Sequence, residues 1–139
     1  KLTGLKKIKL AIFISGTGSN LKNLIRFSRL KRSKYVIKTI ITNNPKAKGL
    51  DFAKKFKIEK KIINYRNIKK AENKILKILN KNKIDLVCLA GYMKILSKKF
   101  IKEFKGKIIN IHPSLLPKYK GLNTHQRVIN NTHSHLILI

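Results

Sequence analysis

The chain has 139 residues, 42% of them hydrophobic, enough for one domain with its own core and too apolar for a wholly disordered chain. It holds no run of about 18 apolar residues, which excludes a transmembrane helix. Its formal charge of +29, from 34 Lys and Arg against 5 Asp and Glu, either marks a polyanionic partner such as RNA or DNA or reflects a bias toward the A/T-rich codons of Lys, Ile and Asn. The lysines are spread over every segment instead of gathering in one helix or tail, which favours the bias. Either way, such a field attracts a phosphate-bearing substrate.

Lys1 to Lys9 is basic, and the chain begins without Met, so the natural amino terminus is not fixed by the sequence. The apolar run that follows is short and ends in Ser15-Gly16-Thr17-Gly18; Ile8 to Ile14 reads as a first strand and not as a signal peptide. Asn20 to Lys31 has the period of a helix, with Leu21, Leu24 and Ile25 on one face. Tyr35 to Thr42 predicts a second strand, closed by the turn cluster Asn43-Asn44-Pro45. Ala47, Leu50 and Ala53 mark a short helix, and Lys61 to Asn64 a short third strand. Ile68 to Asn82 predicts a helix with Ala71, Ile75, Ile78 and Leu79 inward. Ile84 to Ala90 is nearly all apolar, as a strand of a parallel sheet covered on both faces must be. Ser97 suits the cap of a helix running to Phe104. Lys107 to Ile111 predicts a fifth strand, and Leu122 to Asn130 a further helix.

This alternation predicts a single α/β domain over 1–139, an open, mostly parallel sheet with helices on both faces and right-handed crossovers. Such sheets bind ligands at the carboxyl ends of their strands. Three distinctive segments fall there: the loop after the first strand, Gly91-Tyr92-Met93-Lys94 after the fourth, and His112 onward after the fifth.

In Ser15-Gly16-Thr17-Gly18-Ser19-Asn20 the glycines allow a tight turn that brings N–H groups close to a ligand, and the helix start behind it favours an anion, with phosphate the natural guest. Leu21 stands where a dinucleotide fingerprint needs its third glycine, and no Walker-type Gly-Lys-Ser/Thr follows. Read alone, the segment is equally consistent with an ordinary Gly-rich turn capped by Ser19 or Asn20. Asn110 and His112 are two apart at the end of an apolar run, so strand alternation sends both to one face. An amide there can hold an oxyanion and an imidazole can move a proton near neutral pH, a pairing that suits acyl transfer to an amine. Pro113, Pro117 and Gly121 fix the loop behind them. The single Cys88, in Leu86-Val87-Cys88-Leu89-Ala90, reads as a core thiol in a reducing compartment and not as a nucleophile. His133 and His135 lack a third ligand at useful spacing and have no acid nearby, so no metal is expected.

The run Asn110-Ile111-His112-Pro113-Ser114-Leu115-Leu116-Pro117-Lys118-Tyr119-Lys120-Gly121 resembles the signature of the folate-dependent formyltransferases. Its wording, with Pro113 after the histidine and Lys118-Tyr119-Lys120-Gly121 closing the loop, is most similar to the branch that formylates glycinamide ribonucleotide in purine (IMP) biosynthesis. The Ser15–Asn20 and Leu89–Leu96 segments carry the same likeness. The resemblance implies a cytoplasmic, Rossmann-like transferase with 10-formyltetrahydrofolate as co-substrate and no metal. It implies Asn110 and His112 as catalytic residues. It places Gly16, Thr17, Gly18, Ser19 and Asn20 around the substrate phosphate, with Gly18, Ser19 and Asn20 in contact. It lines the folate pocket with Asn110 and the backbone of Met93, Lys94, Ile95 and Leu96. Lys94 stands where relatives usually carry arginine, which keeps the charge and loses the planar fork. His125 is either part of the site wall or an exposed helical histidine.

The likeness stops near Asn130. Relatives continue with further strands and an aspartate that pairs with the catalytic histidine and raises its pKa. Here Asp51, Glu59, Glu72, Asp85 and Glu103 all precede the signature loop, and the closing Thr132 to Ile139 follows the family pattern poorly. The sheet is therefore expected to lack its C-terminal strands, as a fragment, a frameshifted product or a decayed gene. The closing segment is either a shortened remnant of the next strand or unrelated sequence. An exposed apolar edge and a half-built pocket predict that the chain as given aggregates, binds folate poorly and transfers formyl groups slowly or not at all, in contrast to a completed protein. Two alternatives stand beside this reading. A methionyl-tRNA type formyltransferase shares the Asn-x-His loop but fits the Gly-Ser-Asn loop poorly. A basic nucleic-acid-binding protein would need an aromatic platform or recognition helix, and neither is visible, so no specific nucleic acid and no membrane partner are expected.

Overall fold

The computed structural model describes residues 6–111 and, as backbone, residues 136–138. In chain order the elements are β1 (Ile8–Ile14), α1 (Ser19–Ser28), β2 (Tyr35–Thr42), α2 (Leu50–Lys55), β3 (Glu59–Ile62), α3 (Ile68–Lys81), β4 (Leu86–Ala90), α4 (Lys98–Glu103), β5 (Lys107–Ile111) and β6 (Leu136–Leu138). The strands form one sheet in the order β3-β2-β1-β4-β5-β6, with every neighbouring pair parallel. The chain winds outward from β1 to β3, crosses back to β4, and winds outward the other way. This doubly wound order opens a crevice between β1 and β4 at their carboxyl ends, where the strand order reverses.

Period-two alternation sorts the strand side chains into two cores. Leu10, Ile12 and Ile14 of β1 pack with Leu21 and Ile25 of α1 and Leu50 and Ala53 of α2. Ala11 and Phe13 of the same strand pack on the other face with Ala71, Ile75 and Leu79 of α3 and Phe100 and Ile101 of α4. β4 repeats the division, Cys88 and Ala90 facing the first pair of helices and Val87 and Leu89 the second. Covering on both faces is what turns β1 and β4 into near-continuous apolar runs.

β1, β2 and β5 have the bounds the sequence predicts. β3 lies two residues earlier than Lys61 to Asn64, because it is an exposed edge strand and its apolar cue, the buried Ile63, follows it; the Ile63 N–H donates to the Thr42 carbonyl at 2.8 Å. α1 ends at Ser28 and not Lys31: the Ser28 hydroxyl turns back to the Ile25 carbonyl and Arg29 donates to the Phe56 carbonyl. β4 begins at Leu86 and not Ile84, since the Asp85 N–H donates to the Lys9 carbonyl while its carboxylate accepts the Lys9 N–H at 2.8 Å. Ser97 caps α4 as expected, accepting from the Phe100 N–H. The closing segment supplies β6, with Leu136 opposite Ile108. The helix expected at Leu122 to Asn130 lies outside the described residues. Among the described residues no helix is long and apolar enough to cross a membrane.

Candidate active site

The loop after β1 is shaped by a pair of glycines. Gly18 has φ +77°, and a Cβ there would stand 2.7 Å from the Gly49 Cα, so only glycine lets this loop rest against the start of α2. The Gly49 N–H donates to the Gly16 carbonyl at 3.1 Å. Gly18 is the N-cap of α1, and the Lys22 N–H donates to its carbonyl. Neither Ser19 nor Asn20 caps the helix; both lie inside its first turn, correcting the capping alternative. That turn holds no acidic residue, so the positive end of the helix faces the loop uncompensated by a carboxylate of its own. Gly16, Thr17 and Ser19 are exposed, Asn20 is half-buried and Gly18 is buried.

Ser15, at the root of this loop, is buried and sits on the β1/β4 crevice. Its hydroxyl donates to Asn43 Oδ1 at 2.6 Å and accepts the Met93 N–H at 2.8 Å. Its carbonyl accepts from Asn44 Nδ2 at 3.1 Å. One residue therefore ties together the loops that follow β1, β2 and β4.

The loop after β4 turns at Gly91, where φ is +77°. The Tyr92 ring packs edge-on against Phe13 at 5.1 Å, and its hydroxyl donates to the Tyr65 hydroxyl. Burial raises the Tyr92 phenol well above the ordinary tyrosine range, reinforced by the Tyr65 bond; burial also raises Tyr65. Both stay neutral at physiological pH, with Tyr92 the donor and Tyr65 the acceptor of the bond they share. The Lys94 ammonium lies 5.5 Å from the Tyr65 ring centroid. Met93 and Ile95 are 79% and 73% exposed, whereas Leu96 turns into the core beside α3 and α4. At the far end Ser97 is held by the buried Glu72 of α3, whose carboxylate accepts its N–H at 2.8 Å and its hydroxyl at 2.5 Å.

Asn110 is half-buried on β5, opposite Leu89 of β4. Strand alternation puts it on the face of Ile108, the side of α3 and α4. His112, the rest of the signature run, His125, His133 and His135 lie outside the described residues, so the expected Asn110–His112 pairing is described at Asn110 alone. Cys88 is buried, and burial pushes its thiol up to about 12, as befits a core residue. Sequence reasoning missed the roles of Asn43, Tyr65 and Glu72. For Glu72 the signal is its spacing: it precedes the buried Ile75 and Leu79 by three and seven residues, on the apolar stripe of α3.

The sequence pattern of the formyl transferase family matches residues 8–135. The chain is 44% identical over 124 residues to the phosphoribosylglycinamide formyltransferase of Haemophilus influenzae, covering 87% of this chain and 58% of that protein. It is 43% identical over 127 residues to the human trifunctional purine biosynthetic protein adenosine-3, covering 89% of this chain and 13% of that one. The crystal structure of phosphoribosylglycinamide formyltransferase from Brucella melitensis superposes with a TM-score of 0.77 at 39% identity, over 90% of this chain and 67% of its own. The chain thus spans 58% of the length of the Haemophilus relative and 13% of the human one. With its doubly wound sheet and its glycine loop at the strand-order reversal, the chain belongs to the formyl transferase family.

Proposed function

We propose that this protein transfers the formyl group of 10-formyltetrahydrofolate to the amine of glycinamide ribonucleotide, as a cytoplasmic enzyme of purine biosynthesis. The observation that carries the reading is the meeting of two unlike loops at the β1/β4 crevice, in a chain of this family. A glycine loop opens an acid-free helix start suited to a phosphate, and the β4–α4 loop is bonded to its root through Ser15 and Met93. The names of the Haemophilus and Brucella relatives support the choice of glycinamide ribonucleotide.

In this reading Gly18, Ser19 and Asn20 hold the ribonucleotide phosphate, and Gly16 and Thr17 shape the loop around it. The backbone of Met93, Lys94, Ile95 and Leu96 lines the folate pocket, with Asn110 at its inner end. The substrate amine attacks the formyl carbon, and the carbonyl electron pair moves onto oxygen. Asn110 donates a hydrogen bond to that oxyanion. The intermediate collapses by breaking the bond to the folate nitrogen, and His112 carries the amine's proton toward that leaving nitrogen. The products are the formylated amine and tetrahydrofolate, and the step needs neither a metal nor a covalent enzyme intermediate.

The test is calorimetric titration of the full-length protein with glycinamide ribonucleotide at about 0.15 M salt, where non-specific polyanion binding is damped, alone and against aminoacyl-tRNA. The reading predicts saturable binding that the tRNA does not displace. Displacement by tRNA, or no binding of the ribonucleotide, contradicts it.

A further inference from the structure

Resting on the formyl-transfer reading, we propose that Ser15 is a positioning residue that fixes the separation between the phosphate loop and the formyl-donor loop. A serine hydroxyl has a single hydrogen to give. Here that hydrogen goes to Asn43 Oδ1 at 2.6 Å, which sets the rotation of the hydroxyl and leaves a lone pair aimed at the Met93 N–H, 2.8 Å away. The backbone of Ser15 is held in turn, because its carbonyl accepts from Asn44 Nδ2. The hydroxyl is thus fixed from the β2 side and grips the β4–α4 loop at the exposed Met93.

The bond crosses the crevice between β1 and β4, with its partners 78 residues apart in sequence. Gly16 follows Ser15 directly and leads into Gly18, Ser19 and Asn20, so the same residue is the root of the phosphate loop. The near half of the β4–α4 loop is also held on Tyr65 and Phe13, by the Tyr92 hydroxyl bond and ring contact and by the Lys94 ammonium over the Tyr65 ring. Those contacts lie on the α3 and α4 side of the sheet and do not reach the phosphate loop. Ser15 is therefore the direct link between the two subsites. Two substrates held on separate loops react at a rate set by how well their reacting atoms are aligned, and a misplacement of about 1 Å costs on the order of 100-fold. Loss of this link acts on turnover more than on the binding of either substrate alone.

The experiment uses the full-length protein and measures kcat, with separate dissociation constants for glycinamide ribonucleotide and for a non-reactive folate analogue. Ser15→Ala is expected to lower kcat by about 10- to 100-fold, with both dissociation constants within about threefold of wild type. Ser15→Thr, which keeps the hydroxyl, is expected to recover most of that loss. Unchanged kcat in Ser15→Ala, a loss confined to the dissociation constants, or no recovery in Ser15→Thr overturns the proposal. If Ser15→Ala does not fold, Asn43→Ala removes only the acceptor that orients the hydroxyl. A smaller fall in kcat with intact binding is then expected, and unchanged kcat overturns the proposal. A wild-type protein that binds both ligands yet transfers no formyl group overturns the functional reading itself, and this inference with it.

Discussion

The carboxylate of Glu72, buried on α3, accepts both the backbone N–H and the hydroxyl of Ser97, at 2.8 and 2.5 Å, and the same hydroxyl caps α4 by accepting from the Phe100 N–H. The β4–α4 loop is thereby anchored to a helix at the end opposite Ser15. Ser97→Ala removes the cap and a bond to a charged acceptor, and is expected to cost about 1–2 kcal/mol. Glu72→Ala leaves two Ser97 donors without their acceptor and is expected to cost about 1–3 kcal/mol. Urea denaturation of each variant and of the double variant measures this; additive losses would contradict a shared interaction.

Gly18 is the second structural pressure point. Its left-handed backbone and the 2.7 Å approach of a Cβ to Gly49 Cα work in the same direction. Gly18→Ala is expected to destabilise by about 1–3 kcal/mol and to weaken phosphate binding, because the loop must lift from α2. Thermal unfolding with titration of inorganic phosphate checks both; an unchanged melting temperature contradicts the close approach.

Where a strand is buried on both faces, the sequence was legible: the apolar run that ends at Ile14, closed by Ser15-Gly16, set β1 to its observed ends. β3 was shifted because all four of its residues are exposed, which leaves no alternation to read. The glycine loop was legible as a loop, but its capping was not, because Gly18 caps through backbone geometry that depends on Gly49. The Ser15 junction was invisible for another reason: its partners, Asn43 and Met93, meet it only through the sheet order. Glu72 was readable in principle from its place on the apolar stripe of α3, yet a carboxylate there counts against burial until its partner is known.

Cys88 is buried and its thiol is pushed up to about 12. Iodoacetamide at pH 8 is expected to leave it unmodified in the folded protein and to label it promptly in denaturant. Labelling of the native state at the unfolded rate contradicts its place in the core.

The Tyr92 phenol is held neutral by burial, so the fold keeps its proton at pH values where the unfolded chain has lost it. Its contribution to stability is fully present below about pH 10 and falls as pH rises beyond that. Tyr65 and Cys88, also raised by burial, act in the same sense. Tyr92→Phe is therefore expected to shrink the alkaline loss of stability without removing it. Denaturation midpoints followed from pH 8 to pH 11 check this, and an unaltered slope contradicts it.

The central claim is formyl transfer at the carboxyl ends of β1, β4 and β5. It is tested most directly by incubating the full-length protein with glycinamide ribonucleotide and 10-formyltetrahydrofolate and following tetrahydrofolate release. The account predicts turnover that Asn110→Ala reduces by about 100-fold or more and His112→Ala abolishes, while ribonucleotide binding survives in both. No transfer by a protein completed with the C-terminal strands its relatives carry, or wild-type turnover in His112→Ala of that protein, contradicts it.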